Sequence, residues 1–554
     1  MKKIKTTLIA GSFALVCGLL LVSFKGDKQN FDVAKNMSIF NALVRQLRTY
    51  YVEDFDADEV VTAGIDAMLD ELDPYTVYYP ADDNEELEMM TTGKYAGVGA
   101  IIRFHKKKDY CVIQEPYEGM PALNTGLRAG DVLVQIDTTQ LKGLPVDKVS
   151  NLLRGEAGTT VTVVARRPGE SEPRTFKVVR EAIQLPAVPY YGMVNDSTGY
   201  IVFERFIENC SRDVRLAIVD LKERGATNLV LDLRGNGGGL LSEAVNIVNF
   251  FVPKGLTVVE TRGKLAQASS IYKTQKNPYD ADIPLVVLVD GNTASAAEIL
   301  SGALQDLDRA VVVGNRTYGK GLVQVPLDLP YGATLKVTSS KYYIPSGRCI
   351  QAIDYAQRDD DGYVTRIPDS LTTVFHTAGG REVRDGCGIS PDVEVKSEKV
   401  SNLLFYIDAD ETLFDFATAF VRQHDTIAPA AEFMVSDELY AAFCDSLKAH
   451  DFTYDRGSER ALKTLRDLAK FEGYMEGAEA EFDALEAKLT HNLDLELATW
   501  KDDVKMLLAD EIVKRYYYQK GSVEQALKSD DGLKLAVEIL SDKPRYHDIL
   551  SPRP

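Results

Sequence analysis

Apolar side chains recur along this chain in several rhythms. From Phe31 to Met90 they fall at helical spacing, as in Ile39, Leu43 and Leu47 and then Val60, Ile65, Met68 and Leu72, which predicts amphipathic helices. Pro74 stops the second of them. Over 91–182 the runs shorten to strand length around one helix, Val146 to Leu153, predicting a small β-rich domain. Over 183–398 short apolar runs alternate with helical stretches: Tyr200 to Phe203, a helix from Asp213 to Glu223, Asn228 to Leu233, a helix from Leu241 to Phe251, then Ile283 to Val289 and Ala310 to Val313. Strands alternating with helices predict an α/β core whose reactive groups sit on turns at strand ends. After Val395 the chain turns acidic and helical, with amphipathic stretches Leu439 to Leu447, Arg460 to Phe471, Glu481 to Leu489 and Val504 to Tyr518. The expected division is 1–30, 31–90, 91–182, 183–398 with an insertion at 354–383, and 399–554.

Composition narrows the function classes. A chain of 554 residues is too long for one hydrophobic core. A net charge of -20 argues against nucleic acid as a partner. Six cysteines and six histidines are scattered without ligand spacing, so no metal and no cofactor is expected. The chain opens Met1-Lys2-Lys3-Ile4-Lys5 and then runs uncharged from Thr6 to Phe24, the pattern of an export signal. The run can span a bilayer, and no small-residue cleavage motif follows it, so an uncleaved membrane anchor fits better than a removable signal. Either form puts the body outside the cytoplasm, in a periplasmic or equivalent space.

The chemistry concentrates between Asp290 and Gln324. The run ending at Val289 leads through Gly291-Asn292-Thr293-Ala294 into Ser295-Ala296-Ala297-Glu298, a strand, a turn and a helix with Ser295 at its start. A serine there can be a plain N-cap, or a nucleophile beside bare N–H groups and the positive end of the helix dipole. A second strand leads into Gly319-Lys320-Gly321 and then Gln324. One helix and one strand separate Ser295 from Lys320, which suits their return to one place. A lysine kept uncharged by burial can take the serine proton, with Gln324 holding the amine. Gly314 to Lys320 also fits a phosphate loop, but Gly321 stands where Ser or Thr would hold magnesium, and a strand follows instead of a helix. Asp232-Leu233-Arg234-Gly235-Asn236-Gly237-Gly238-Gly239 is only a weak dinucleotide fingerprint, since Leu240 occupies its last glycine position. Its glycines serve better as donors to an oxyanion.

Together, Asp232 to Gly239, Asn292 to Glu298 and Tyr318 to Gln324 resemble the carboxyl-terminal processing peptidases, also called tail-specific proteases, in motif order and spacing. The likeness runs from about Phe31 to Val395. It implies a crotonase-like ββα protease core, Ser295 as nucleophile, Lys320 as general base, Gln324 as its orienting partner, and an oxyanion hole from Ala296 with Gly237 or Gly238. Tyr95-Ala96-Gly97-Val98-Gly99-Ala100-Ile101-Ile102 resembles the carboxylate-binding loop of a PDZ domain, where an extended peptide adds a strand. Tyr95, Gly97, Val98, Gly99 and Ile101 are the expected peptide contacts.

The expected function is therefore an extracytoplasmic serine endopeptidase that acts on proteins with exposed, apolar C-termini. The alternative is an inactive PDZ scaffold on a protease fold. The helical terminal regions are candidate surfaces for a homodimer or higher oligomer, or for shielding substrate. Cys349 and Cys387 flank the insertion; an oxidising compartment would permit a disulfide between them, and free thiols fit equally.

Overall fold

The computed structural model describes residues 30–358, 364–396, 401–454, 456–489 and 492–552. The export segment and Cys17 lie outside these residues. Among the described residues no helix is long and apolar enough to cross a membrane. Among the described residues, those from 30 to 78 belong to one compact unit and those from 79 to 552 to another. In the first, residues 30–50 are helical, and a second helix, Ala57–Asp70, starts at Asp56, whose carboxylate accepts the Asp58 and Glu59 N–H groups.

The second unit begins with the predicted β-rich domain. β1 (Ala100–His105), β2 (Tyr110–Pro116), β3 (Val132–Ile136), α1 (Val146–Leu153), β4 (Thr160–Arg166) and β5 (Arg174–Val179) follow one another. The strands make one antiparallel sheet in that order, with β1 at its edge. Val149 and Leu153 of α1 join its core with Ile113, Leu133 and Val163. Lys94–Gly97 enters and Glu181–Gln184 leaves as one antiparallel ribbon.

The core is built on a six-stranded sheet. β6 (Tyr190–Met193) pairs antiparallel with β7 (Thr198–Val202); beyond α2 (Cys210–Glu223) comes β8 (Asn228–Asp232), and beyond α3 (Leu241–Val248) come β9 (Leu285–Val289), α4 (Ala296–Asp306) and β10 (Val311–Gly314). β7 to β10 and the short strand Val393–Glu394 are parallel. β9 explains why the sequence shows an unbroken apolar run. Leu285, Val287 and Val289 face the layer of α2, α3 and α4, while Val286 and Leu288 face the other way, so a parallel strand is buried on both sides. After β10, β11 (Leu322–Asp328) and β12 (Thr334–Tyr343) form a hairpin in a second sheet with Thr257–Gly263.

The second face of the core is covered by the end of the chain. After α5 (Glu411–Val421) and the long α6 (Lys501–Ala526), α7 (Asp531–Ser541) lays Leu533, Ala536, Ile539 and Leu540 against Tyr200, Val230, Val286 and Val311. α8 (Lys543–Leu550) adds Tyr546, whose hydroxyl accepts the Leu285 N–H at 3.1 Å. The region read from sequence as an assembly or shielding domain thus supplies the third layer of the protease core.

The possible Cys349–Cys387 disulfide is absent: both are free thiols. The insertion is held by charge instead. Arg381 bonds Asp308 at 2.6 Å and Asp392 at 2.5 Å, and the fully buried Arg348 bonds Asp306 at 2.8 Å.

Candidate active site

Ser295 stands between β9 and α4 with φ 55° and ψ −116°. A non-glycine residue held there stores backbone strain of ~1–3 kcal/mol, a cost that needs surrounding structure to hold it. The holding is visible on each side. The Ser295 N–H donates to Glu298 Oε2 at 2.9 Å, and the Ser295 carbonyl accepts the Tyr342 hydroxyl at 3.2 Å. Thr293, just before, donates its hydroxyl to the Leu233 carbonyl at 2.8 Å.

The glycine loop after β8 is tied to this turn. The Ala294 N–H donates to the Asn236 carbonyl at 2.9 Å, and the Asn236 amide donates to the Phe203 carbonyl at 2.7 Å. Gly238 lies so close to the serine turn that a Cβ on it would be 2.7 Å from the Ala294 oxygen and 2.8 Å from both Ser295 Cβ and Ala296 N; its φ is +97°. Its own N–H donates to Asn236 Oδ1 at 2.9 Å. Sequence offered Gly237 and Gly238 alike as oxyanion donors. The structure gives Gly238 a different task, close approach of the loop to the serine, and leaves Gly237 exposed in the cleft.

The Lys320 loop meets Ser295 through Glu298, which is fully buried. Its Oε1 accepts from Thr317 Oγ1 at 2.5 Å and from the Gly319 N–H at 2.8 Å. Its Oε2 accepts from the Lys320 N–H at 2.9 Å as well as from Ser295. One carboxylate thus fixes the backbone of both residues of the expected pair. Burial pushes its carboxyl up to about 7, against the pull of those four donors. The sequence held the signal, a Ser with Glu three positions on, which is a capping box. What it could not show is that the same carboxylate also reaches across to a loop 22 positions away.

Ser295, Ala296, Gly237, Gly238, Lys320 and Gln324 line one cleft of about 690 Å³. The Gln324 amide donates to Thr338 Oγ1 at 3.1 Å on β12. Lys320 is followed by β11 and not by a helix, as the phosphate-loop alternative would have required.

A second, smaller cavity of about 250 Å³ runs between β1 and α1. Tyr95, Val98, Gly99 and Ile101 line it; Gly97 sits beside it, in the ribbon opposite Glu181. The Arg154 guanidinium, at the end of α1, lies 5.7 Å from the centre of the Tyr95 ring. Met89 and Leu185 line this groove and the Ser295 cleft alike, so the two cavities adjoin.

Comparison with known proteins agrees with this anatomy. Residues 197–357 match peptidase family S41, 112–167 a PDZ domain, and 403–540 the family described as "Probable PDZ-protease, C-terminal helical domain". A carboxy-terminal-processing protease of Bartonella bacilliformis is 32% identical over 349 residues, covering 62% of this chain and 79% of the relative. A Staphylococcus aureus protein described as "Probable CtpA-like serine protease" is 32% identical over 419 residues, 75% of this chain and 81% of the relative. Among solved structures, a photosystem II D1 C-terminal processing protease is 31% identical, covering 63% of this chain and 86% of that one with a TM-score of 0.35. The chain belongs to the carboxyl-terminal processing peptidases, serine-type peptidases of family S41 that carry a PDZ domain.

Proposed function

We propose that this protein is an extracytoplasmic endopeptidase that grips free, apolar protein C-termini in its PDZ groove and cleaves the chain by a Ser/Lys mechanism on a crotonase-like core. The observation that carries the reading is the single cleft holding Ser295, Lys320 and the glycine loop, adjoining an apolar groove under an edge strand. An extended tail can add to β1 there by strand pairing.

In the reaction, Ser295 Oγ attacks the scissile carbonyl while the unprotonated Lys320 amine takes the hydroxyl proton. The N–H groups of Ala296 and Gly237 hold the oxyanion of the tetrahedral intermediate. Lys320 returns the proton to the departing amine, the C–N bond breaks, and water hydrolyses the acyl-Ser295 ester with Lys320 as base again. Gln324 keeps the Lys320 side chain on the serine side of the cleft.

The test uses purified protein and a fluorogenic peptide ending in apolar residues with a free carboxylate. The expected result is turnover by wild type, none by Ser295→Ala, and peptide binding by both. A wild-type sample that leaves the peptide whole at saturating concentration refutes the proposal.

A further inference from the structure

The PDZ domain leaves the core by a two-stranded ribbon, Lys94–Gly97 against Glu181–Gln184, a connection that by itself lets a domain swing. A third attachment comes from α5. One face of this helix packs into its own helical domain through Leu413 and Ala417. The opposite face is equally buried, and it is buried by the PDZ domain. Phe414, 1% exposed, packs with Val112 and Val132 of β2 and β3, and the guanidiniums of Arg103 of β1 and Arg515 of α6 lie 5.1 Å and 4.6 Å from its ring centre.

Charge matches around this plug. The turn after β1 reads His105-Lys106-Lys107-Lys108 and the helix start reads Asp410-Glu411 with Asp415 one turn on. Glu411 accepts the Lys106 N–H at 2.9 Å. Asp415 accepts from Lys108 Nζ at 2.6 Å and lies 3.1 Å from Nε2 of the buried His105. One turn further, Thr418 approaches Gly130 so closely that a Cβ there would meet its methyl at 2.4 Å. Residues 411, 414, 415 and 418 form one helical stripe: Glu411, Phe414 and Thr418 are buried, and the half-exposed Asp415 closes its edge with the Lys108 ion pair. The helical domain is in turn fixed to the core by α7 and by Asp530, which the Arg234 side chain of the glycine loop bonds at 3.0 Å.

We propose that α5 is a docking platform that holds the PDZ domain in the one placement where its tail groove adjoins the Ser295 cleft through Met89 and Leu185. Phe414 and Asp415 are positioning residues: they touch no substrate, yet they set how far a captured tail lies from the nucleophile. The proposal rests on the tail-gripping function above. If the platform is lost, the correctly placed fraction of molecules falls, and the advantage of a gripped tail falls by the same factor.

Two readouts on the full chain test this. The first is hydrogen exchange of residues 103–116. The second is the ratio of kcat/KM for one fluorogenic peptide made with a free C-terminal carboxylate and with a C-terminal amide. Asp415→Lys should speed exchange in this segment and reduce the acid-to-amide ratio by about tenfold, through KM, while kcat on the amide stays as in wild type. The charge swap Lys108→Asp with Asp415→Lys should restore both, which a merely structural loss would not allow. Unchanged exchange in both Asp415→Lys and Phe414→Ala overturns the platform whatever the activity. Faster exchange with an unchanged ratio overturns its positioning role. A wild type that cleaves neither peptide sinks the peptidase reading instead, and the exchange measurement, being independent of turnover, tells the two failures apart.

Discussion

The turn at Ser295 and the helices after residue 400 were formed by the same chain under the same physics, yet they encode their roles in opposite ways. At the turn, chemistry is local. A serine at a helix start, glycines where backbone must approach backbone, and a lysine between glycines are each demanded by short-range geometry, so their meaning survives in the bare sequence. In the C-terminal helices meaning is relational. α5 and α7 have ordinary amphipathic patterns, but one docks a PDZ domain and the other completes the protease core. Nothing in a helical stripe says which surface it will meet.

The sharpest way to break that contrast is at the turn. Ser295→Ala should remove turnover by ~10⁴-fold or more, the scale of losing a covalent nucleophile, while the midpoint of thermal unfolding holds. Lys320→Arg should be nearly as damaging, because a guanidinium cannot act as base. Gly238→Ala comes next. Its Cβ would press on Ser295 Cβ and the Ala296 N–H, spoiling the alignment of nucleophile and oxyanion donor, and kcat should drop ~100-fold. Retained activity there would mean the loop moves more freely than its contacts indicate.

How much was legible follows the same line. The order of strands and helices in the core and the gathering of Ser295, Lys320 and Gln324 at one cleft follow from spacing, and the PDZ domain with its helix at Val146–Leu153 from the resemblance its loop carries. The role of Glu298 was half-visible: the capping box is a local signal, the bonds to Thr317, Gly319 and Lys320 are not. The suspected disulfide failed for a related reason. Two cysteines flanking an insertion suggest closure, but Arg381 ties its end to Asp308, 73 positions away, and Arg348 reaches across it to the Arg384 carbonyl, pairings no local pattern announces. Gly237 and Gly238 looked equivalent because the sequence does not reveal that Asn236 Oδ1 takes the Gly238 N–H.

Glu298 gives a middle-sized test with a definite sign. Burial raises its carboxyl to about 7, above the unfolded value, so between the two the folded chain keeps a proton that the unfolded chain releases. The stability this group contributes is present at low pH and is lost as pH rises through about 7, by on the order of 3 kcal/mol at ~1.4 kcal/mol per pH unit. Activity should run the other way. Both oxygens act as acceptors toward the Ser295 and Lys320 turns, and a proton on either turns an acceptor into a donor facing N–H groups. kcat/KM should therefore rise through about pH 7 as Glu298 ionises. Glu298→Gln, which cannot ionise, should lose about tenfold at pH 8 and lose this step in the profile. A wild-type profile with no ionisation near 7 would show that the four donors outweigh burial and keep the group charged throughout.

The smallest effect is on the relational side, and it tests whether α7 and α8 belong to the core. Tyr546 is buried at the back of β9, where its hydroxyl accepts the Leu285 N–H at 3.1 Å and donates to the Leu285 carbonyl at 3.3 Å. β9 carries at its other end the turn that holds Ser295. Tyr546→Phe keeps the ring packed and removes only the hydroxyl, leaving a buried N–H without its acceptor, a cost of ~1–2 kcal/mol. The urea midpoint should fall accordingly with an unchanged slope, since the surface exposed on unfolding is the same. Turnover should not change, because β9 keeps its ladders to β8 and β10 along the strand. An unaltered midpoint would mean that the final helices rest on the sheet without being part of its cooperative unit, and the third layer would then be a cover that can lift while the protease core stays folded.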